Sequence, residues 1–192
     1  MHLLHHVFRL SLGGRLFRAP ICSNPQRVLD IGTGTGIWAM DFADEFPSAF
    51  VLGNDLSPIQ PTWVPPNCKF TVDDVEADWL YGPSEKFDYI HGRGMAGGIG
   101  DWHRLYTQAY DHLKPGGWLE MQEYDAWIRS DDGTIENATY VKQWQERCDE
   151  ASLIFGKKLN VAERQKEWLI DAGFVDVRDD VYKVYSLRDR PS

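Results

Sequence analysis

The sequence predicts an α/β fold, an open sheet with helices on both faces. Two observations predict it. Short apolar, strand-like runs alternate along the chain with segments of helical period. The residues suited to binding a ligand follow directly after those runs, at the strand ends that face the crevice of such sheets. With 192 residues, of which 43% are hydrophobic and 13% aromatic, the chain is long enough for one core, and we expect a single binding domain over residues 27–192.

We expect residues 1–26 to form a segment that packs on this domain or covers its site. Apolar side chains recur there at helix-face spacing: Leu3, Leu4, Val7 and Phe8. The absence of Asp and Glu from this segment, together with its arginines, also resembles a mitochondrial transit peptide, but a lid or packing helix is the interpretation that we favour. Because His2, His5 and His6 have no acid nearby in the sequence, we expect no metal site.

Residues 27–38, RVLDIGTGTGIW, predict a strand, a tight turn and a helix in immediate succession. A short apolar run leads into Gly32, Gly34 and Gly36, and a helix-period pattern begins at once. Glycine suits this position because a ligand can approach a backbone that lacks Cβ atoms, and because the turn needs positive φ. The layout is typical of a nucleotide or nucleoside site.

Asp30, two residues before the first glycine, distinguishes between two ligand classes. A dinucleotide site spaces its glycines G-x-G-x-x-G and holds a pyrophosphate at the helix N-terminus, whereas this chain has D-x-G-x-G-x-G. A carboxylate 4 Å from a phosphate charge would be repelled by roughly 4 kcal/mol at an effective dielectric of about 20. The same carboxylate attracts ammonium and sulfonium groups. We therefore expect S-adenosyl-L-methionine, which carries both and has no phosphate, rather than NAD.

The second and third strands each end in acids. Residues 49–55 end in Asp55, where a nucleoside-binding fold places the carboxylate that accepts hydrogen bonds from ribose hydroxyls; a turn or helix N-cap acid is the alternative. Residues 69–72 are followed by Asp73, Asp74, Val75 and Glu76, where an acid can accept from an adenine amino group. The alternative there is an acidic N-cap on a short helix. The proline-rich residues 56–67 between the two strands predict an extended connection along the cofactor.

The fourth and fifth strands supply the candidates for a general base. His91 ends the fourth strand, residues 87–91, and its imidazole titrates in the range that suits proton abstraction; a hydrogen-bonded structural histidine is the alternative. Glu123 ends the fifth strand, residues 118–123, at the same crevice. Arg93, in the glycine-rich segment after the fourth strand, either grips a carboxylate or positions that loop.

The remaining elements are predicted from caps and turn residues. Asp101 caps a helix over residues 102–113, and Lys114–Gly117 forms a turn. Helices are expected from about residue 136 to Phe155 and from about Val161 to Ala172, and strand material at 174–177 and 181–185. The side chains expected in the core rather than at a site are Trp144, Cys148, Leu153 and Phe155.

The charge and the cysteines restrict the partners. The formal net charge of −9 gives the chain no attraction of its own for nucleic-acid phosphates or an anionic membrane, so we expect no direct contact with either. No apolar run reaches the length of a membrane span. Three scattered cysteines without zinc spacing are typical of reduced thiols in an intracellular protein, and we expect it in the nucleus or the cytoplasm.

The pattern resembles a class I, Rossmann-like S-adenosylmethionine-dependent methyltransferase. More closely, it resembles the fungal LaeA-like family, the methyltransferase-like subunits that work with velvet proteins to regulate secondary metabolism and development, and its relatives in metabolite gene clusters. The segments that carry the resemblance are VLDIGTGTGIW, NDLSPIQPTWVPPNC, DDVEADW, FDYIHGRGM, LKPGGWLEMQE and SDDGT. They cover roughly residues 5–178, and the proline-rich segment is the most specific.

The resemblance implies a set of binding residues. The methionine end of the cofactor is expected along the loop that contains Asp30, Gly32, Thr33, Gly34 and Gly36. The ribose is expected at Asp55 with Leu56, and the adenine at Asp74 with Val75. His91 matches the fourth-strand histidine of the family, and the family motif does not define its chemical role.

The resemblance also implies methyl transfer to an oxygen, nitrogen or sulfur atom of a small-molecule or protein acceptor. Such enzymes gain much of their rate by holding donor and acceptor in near-attack geometry, so no catalytic triad is expected. The alternative is a regulatory subunit that binds the cofactor, works through a velvet-domain partner and has little or no catalysis. An NAD-linked reductase is the weakest interpretation, because no Tyr-x-x-x-Lys pair follows the fourth strand.

The C-terminus departs from the family pattern. A class I sheet has a last, antiparallel strand beside the fifth, and few residues follow Asp176 here. We expect truncated C-terminal strands: either residues 181–185 fold back as a short hairpin, or the sheet keeps an incomplete edge that is prone to pair with another chain.

Overall fold

The computed structural model describes residues 2–184. The helices and strands follow one another as α1 (His2–Ser11), β1 (Arg27–Ile31), α2 (Ile37–Glu45), β2 (Phe50–Asp55), β3 (Cys68–Val72), β4 (Phe87–Arg93), α3 (Trp102–His112), β5 (Leu113–Gln122), α4 (Thr139–Phe155) and α5 (Gln165–Asp171). Short 3-10 turns lie at Pro83–Glu85, Thr134–Asn137 and Ala162–Arg164. No helix in this range is long and apolar enough to cross a membrane.

The strands form one parallel sheet in the order β3-β2-β1-β4-β5. The chain builds β1, β2 and β3 outward in one direction and then returns to place β4 on the other side of β1. In sheets of this kind the ligand crevice opens at the carboxyl ends of the strands where the winding reverses, here between β1 and β4. The topology confirms the α/β fold and brings the ends of β1, β2 and β4 to one site.

Hydrophobic cores lie on both faces of the sheet, because successive residues of a strand point to opposite sides. Val28 of β1 and Tyr89 of β4 pack on one face with Phe42 of α2. Leu29 of β1 packs on the other face with Leu105 of α3 and with residues of α5. The named side chains of β1, β4, α2 and α3 are almost fully buried, whereas those of α5 are partly buried. Burying an aliphatic or aromatic side chain of this size contributes roughly 1.5–3 kcal/mol to folding. The two cores hold the strand ends rigidly in place.

Several predicted boundaries are confirmed. Asp101 caps α3, and its Oδ1 accepts a 2.9 Å hydrogen bond from the backbone N–H of Arg104. Gly156 ends α4 with a φ of 82°, a left-handed conformation that glycine adopts without steric cost. The proline-rich residues 56–67 contain no helix.

The turn predicted at Lys114–Gly117 is wrong, because these residues belong to β5. The register between β4 and β5 shifts between Phe87 and Tyr89, so the additional residues of β5 form a bulge in the ladder. The Nζ atom of Lys114 lies 2.9 Å from each carboxylate oxygen of Asp88 on β4 and anchors the bulge. A Lys-Pro-Gly-Gly sequence favours a turn locally, and this tertiary ion pair keeps it in the sheet.

The prediction that α4 contributes core residues is also wrong. Trp144, Leu153 and Phe155 are 58%, 56% and 74% exposed, and Cys148 is half-buried. The only buried residue of this helix is Gln145. The physical reason is that α4 packs mainly against the neighbouring 3-10 turn rather than against the sheet, and helical periodicity does not reveal which surface a helix meets.

The strands predicted after α5 are absent from the described part of the chain. Residues 174–177 and 181–184 have no strand pairing, and Tyr185 lies outside the described residues. Asp176 has a φ of 55°, which an extended strand does not allow. Within residues 2–184, β3 and β5 are therefore the edges of the sheet.

Candidate functional site

A cavity of about 480 Å³ opens at the carboxyl ends of β1, β2 and β4, within the range of about 300–1,000 Å³ that is usual for small-molecule sites. The residues predicted from the sequence that line it are Asp30, Gly32, Thr33, Gly34, Asp55, Leu56, Asp74, Val75 and His91. Two predicted residues, Gly36 and Glu123, do not line it. The structure therefore brings together most of the predicted set, from four separate stretches of sequence.

The glycine loop has the conformation that its sequence predicts. Gly32, Gly34 and Gly36 have φ values of 60°, 58° and 76°, a region that side chains with a Cβ rarely adopt. The backbone N–H of Thr33 donates a 2.8 Å hydrogen bond to the carbonyl of Asn54, which fixes the loop to β2. Gly36 does not line the cavity, and the Phe70 ring occupies the place that a Cβ on Gly36 would take.

Asp30 is engaged on both carboxylate oxygens. Its Oδ1 accepts a 2.7 Å hydrogen bond from Nδ1 of His91, and its Oδ2 accepts a 2.5 Å hydrogen bond from the hydroxyl of Thr33. Asp30 is 3% exposed and His91 is fully buried. Asp30 thus fixes the orientation of both partners, a role that the sequence did not reveal.

Nε2 of His91 is left without a partner by this arrangement. A carboxylate only accepts hydrogen bonds, so Nδ1 carries the proton toward Asp30, and Nε2 is an acceptor when the ring is neutral. No hydrogen-bond partner for Nε2 occurs among residues 2–184. The imidazole ring also stacks on the indole of Trp38. The two ring centroids lie 3.7 Å apart, and the angle between the ring planes is 6°. His91 therefore belongs to the wall of the cavity but has no exposed surface there.

Asp55 holds the glycine loop and still has acceptor capacity. Its Oδ2 accepts a 2.8 Å hydrogen bond from the backbone N–H of Gly34, and its Oδ1 accepts one of 2.9 Å from Ser57. Each oxygen of a carboxylate can accept a second bond, so both remain available to hydroxyl groups in the cavity. Gln60, which no sequence pattern singled out, donates to the carbonyls of Gly34 and Ser57 and closes this corner.

The acids after β3 face the cavity beside the buried side chain of Val75. Asp74 is exposed, and its Oδ1 accepts a 2.9 Å hydrogen bond from the backbone N–H of Glu76, so it also stabilises a turn. Burial opposes ionisation of Glu76, but hydrogen bonds from Lys157 and from the N–H groups of Gly100 and Asp101 lower its pKa overall. Glu76 is therefore an ionised group in the cavity wall.

The N-terminal helix α1 forms one side of the cavity through Leu4 and His5. His5 is 5% exposed. Its Nε2 lies 3.1 Å from Oδ2 of Asp41 on α2, and its Nδ1 accepts a 3.0 Å hydrogen bond from Nη2 of Arg93 at the end of β4. No group of three potential metal ligands occurs in the described chain, and His5 serves instead to attach α1 to the domain.

Glu123 supports the cavity from outside. Its two oxygens accept hydrogen bonds of 2.8 and 3.2 Å from the backbone N–H groups of Met95 and Ala96. Burial raises the pKa of this carboxyl to about 7, although both hydrogen bonds oppose the shift. Met95 and Ala96 line the cavity, so Glu123 positions the glycine-rich segment that follows β4 rather than facing a ligand.

The electrostatic balance of the lining favours a ligand with positive charge. The carboxylates that line the cavity are Asp30, Asp55, Asp73, Asp74 and Glu76. Among the described residues that line the cavity, Arg93 is the only Lys or Arg. A concave acidic surface concentrates cationic ligands and disfavours polyphosphates.

Comparison with known proteins gives consistent results. The family described as a methyltransferase domain matches residues 3–179. Methyltransferase pytC of Aspergillus terreus is 43% identical over 185 residues, which cover 96% of this chain and 56% of the relative. The secondary metabolism regulator LAE1 of Cochliobolus heterostrophus is 39% identical over 189 residues, covering 96% and 61%. The protein-methionine methyltransferase laeA of Emericella nidulans is 36% identical over 180 residues, covering 92% and 47%. The chain spans about half the length of the curated relatives it matches, and they confirm the LaeA-like resemblance.

Solved structures share the fold. Phosphoethanolamine N-methyltransferase 2 of Haemonchus contortus, solved with S-adenosyl-L-methionine, matches with a TM-score of 0.60 and 24% identity over 88% of this chain and 37% of that one. The methyltransferase of Haloferax volcanii that was solved in complex with the activator Trm112 matches with a TM-score of 0.61 and 21% identity over 90% and 70%. At this level of identity the likeness concerns the fold.

Proposed function

This chain belongs to the methyltransferase-domain family, and from that premise we propose that it binds S-adenosyl-L-methionine in the cavity and transfers the methyl group to an acceptor of fungal secondary metabolism or its regulation. The observation that carries the proposal is the acidic cavity bounded by the glycine loop of β1 and by Asp55. Relatives named as methyltransferases and as secondary metabolism regulators support the biological context.

The residues present fit this cofactor. The carboxylate of Asp55 has acceptor capacity left for the two ribose hydroxyls, and the loop at Gly32 and Gly34 gives close access to the backbone. Asp74 and the buried side chain of Val75 offer a polar edge and an apolar surface for adenine. The carboxylate of Asp30 favours the ammonium and sulfonium charges at long range, although its hydrogen bonds go to His91 and Thr33.

The cofactor, when bound, supplies a methyl group on a positively charged sulfur. The task of the protein is to hold an acceptor in line with that group and to exclude water, which accounts for much of the rate in reactions of this type. Two walls of the cavity would hold the acceptor and exclude water. They are the glycine-rich segment after β4, which Glu123 holds, and the helix α1, which His5 holds. Both walls are tied to the sheet by hydrogen bonds, so the cavity is largely pre-formed.

A general base is required only when the acceptor must lose a proton. His91 is the candidate, because it belongs to the cavity lining and its Nε2, although buried, has no hydrogen-bond partner among the described residues. Replacing His91 by Gln keeps a donor for Asp30 and removes the imidazole. If His91 is the base, this variant slows transfer by about 10²–10⁴-fold and leaves the affinity for S-adenosyl-L-methionine unchanged. An unchanged rate assigns His91 a positioning role.

A second candidate function is a regulatory subunit that binds the cofactor and acts through a velvet-domain partner. Two observations favour it: several relatives are named secondary metabolism regulators, and neither His91 nor Glu123 exposes a free polar atom to the cavity in this conformation. The acceptor, whether a metabolite or a protein side chain, distinguishes the two functions.

One experiment separates these possibilities. Calorimetric titration compares S-adenosyl-L-methionine with NAD, and radiolabel from the methyl group is then followed into fungal protein extract and, separately, into small-molecule extract, with and without a purified velvet-domain protein. We expect binding of the first ligand only, and label transfer that is reduced in Asp55→Asn but retained in Asp44→Asn, an exposed site on α2. Binding without transfer in any mixture favours the regulatory subunit. Binding of NAD alone overturns both.

A further inference from the structure

We propose that Arg93 is an anion subsite of the cavity and binds the carboxylate at the amino-acid end of S-adenosyl-L-methionine. This inference rests on the proposed function and names which residue recognises one end of that ligand. It starts from the position of Arg93, which is the last residue of β4 and lines the cavity near the reversal of the sheet. A carboxylate is the part of this ligand that the acidic lining does not otherwise accommodate.

The guanidinium of Arg93 has hydrogen-bonding capacity left over. Its five N–H donors make one side-chain hydrogen bond within the described residues, the 3.0 Å contact from Nη2 to Nδ1 of His5. The group also lies 5.1 Å above the ring of Phe8 on α1. Burial lowers the pKa of Arg93, whereas Asp30 and Asp41 nearby oppose that shift. A half-buried cation with unused donors at a cavity wall is costly unless an anion meets it.

The distribution of charge across the sheet gives the ligand a direction. Arg93 is the last residue of β4, whereas the acids Asp73, Asp74 and Glu76 follow β3, which lies on the other side of β1 and β2 in the sheet. Three inter-strand spacings separate β3 from β4, or roughly 14 Å. A ligand with an adenosine group at one end and a carboxylate at the other matches this polarity. A dinucleotide does not, because its phosphates would lie between the two ends, near Asp30.

Arg93 also has contacts that are purely structural, and the test must separate them from ligand binding. His5 and Phe8 both belong to α1, so loss of the guanidinium alone could loosen that helix and weaken any ligand. Decarboxylated S-adenosylmethionine solves this problem, because it keeps the adenosine, the sulfonium and the amine and lacks only the carboxylate. A loosened helix affects both compounds equally, whereas a lost anion contact affects one.

The experiment is calorimetric titration of wild type, Arg93→Met and Arg93→Lys with the two compounds. Charge-assisted hydrogen bonds of this kind predict that wild type prefers S-adenosyl-L-methionine by about tenfold or more. We expect Arg93→Met to lose that preference through weaker binding of S-adenosyl-L-methionine alone, and Arg93→Lys to retain part of it. The matched control is Arg9→Met: Arg9 pairs with Asp41 in the same network but does not line the cavity, and the preference should be unchanged.

Further outcomes decide the inference. Equal weakening of both compounds in Arg93→Met, reproduced by His5→Phe, would show that Arg93 acts only through α1 and would overturn it. A wild-type protein that binds both compounds equally well also overturns it, while leaving the proposed function intact. A wild-type protein that binds neither compound overturns both the inference about Arg93 and the proposed function. Thermal melting verifies that each variant folds, and Arg93→Lys carries the comparison if Arg93→Met does not.

Discussion

The imidazole of His91 stacks on the indole of Trp38, with ring centroids 3.7 Å apart and an interplanar angle of 6°. The contact joins the end of β4 to the first turn of α2. The same imidazole ring is also held by Asp30 on β1, which accepts the hydrogen bond from its Nδ1. Trp38 is itself held by a 3.0 Å hydrogen bond from its Nε1 to the carbonyl of Leu16. The three elements that form the floor of the cavity are thereby connected through one side chain.

We predict that Asp30 and His91 are energetically coupled. His91→Ala should lower the free energy of unfolding by about 2–4 kcal/mol, because it creates a cavity and leaves a buried carboxylate without its donor. Asp30→Ala breaks the same pair, so the double variant should lose less than the sum of the single variants, by about 0.5–3 kcal/mol. Denaturant unfolding of the four proteins measures this coupling. Additive losses would mean that the two residues stabilise the fold independently.

Gly53 on β2 provides a second prediction. A Cβ at this position would lie 2.7 Å from two atoms of the Phe70 ring and 2.9 Å from the hydroxyl oxygen of Thr33. We expect Gly53→Ala to cost about 1–3 kcal/mol of stability through overpacking, and to cost less in a Phe70→Leu background. The control is Gly82→Ala, where the nearest atom would be 3.5 Å away on a flexible Glu85 side chain. Equal melting temperatures for wild type and Gly53→Ala would contradict the prediction.

Much of this site was predictable from the sequence, and the reason is topological. Parallel strands buried on both faces appear as apolar runs, as in Val28–Leu29 and Val51–Leu52. Their carboxyl ends meet at one edge, so residues at those ends, such as Asp30 near the end of β1 and Asp55 at the end of β2, are brought together without any knowledge of side-chain packing.

The parts that could not be predicted depend on tertiary contacts. His5 and Arg93 are 88 positions apart in the sequence and meet only because α1 folds over the end of β4. Glu123 follows β5 at its carboxyl end, as the sequence predicts, but it does not line the cavity, and only the structure reveals that Met95 and Ala96 engage its oxygens. The exposure of Trp144 follows from what α4 packs against, and no periodic pattern in the sequence contains that information.

Glu123 predicts a specific pH dependence of stability. Burial raises its pKa in the folded protein from an ordinary value of 4.5 to about 7. Between these values the folded state binds the proton more tightly than the unfolded state, so this group makes stability fall as pH rises. The loss is at most about 3 kcal/mol across that interval and is constant at higher pH. Wild type should therefore lose stability relative to Glu123→Gln between pH 4.5 and 7.

The comparison with Glu123→Gln isolates this carboxyl from the others, because glutamine keeps an acceptor for the N–H of Met95. Asp41, Glu76 and Asp88 have lowered pKa values and impose the opposite trend on both proteins alike. Unfolding by urea at several pH values measures the difference, and Glu45→Gln at the exposed end of α2 is the control. A difference that stays constant with pH would mean that folding does not shift the pKa of Glu123.

Asp55 leads to the last prediction, which concerns recognition of the ribose. Its oxygens already accept from the N–H groups of Gly34 and Ser57, so Asp55→Asn preserves part of the loop geometry and removes the charge that strengthens bonds from hydroxyl groups. We expect S-adenosylhomocysteine to bind wild type about tenfold or more tightly than the variant. The 2′-deoxy analogue, which lacks one hydroxyl, should bind the two proteins more nearly alike. Titration calorimetry with Asp44→Asn as control measures this; an equal penalty for both ligands would mean that Asp55 only shapes the loop.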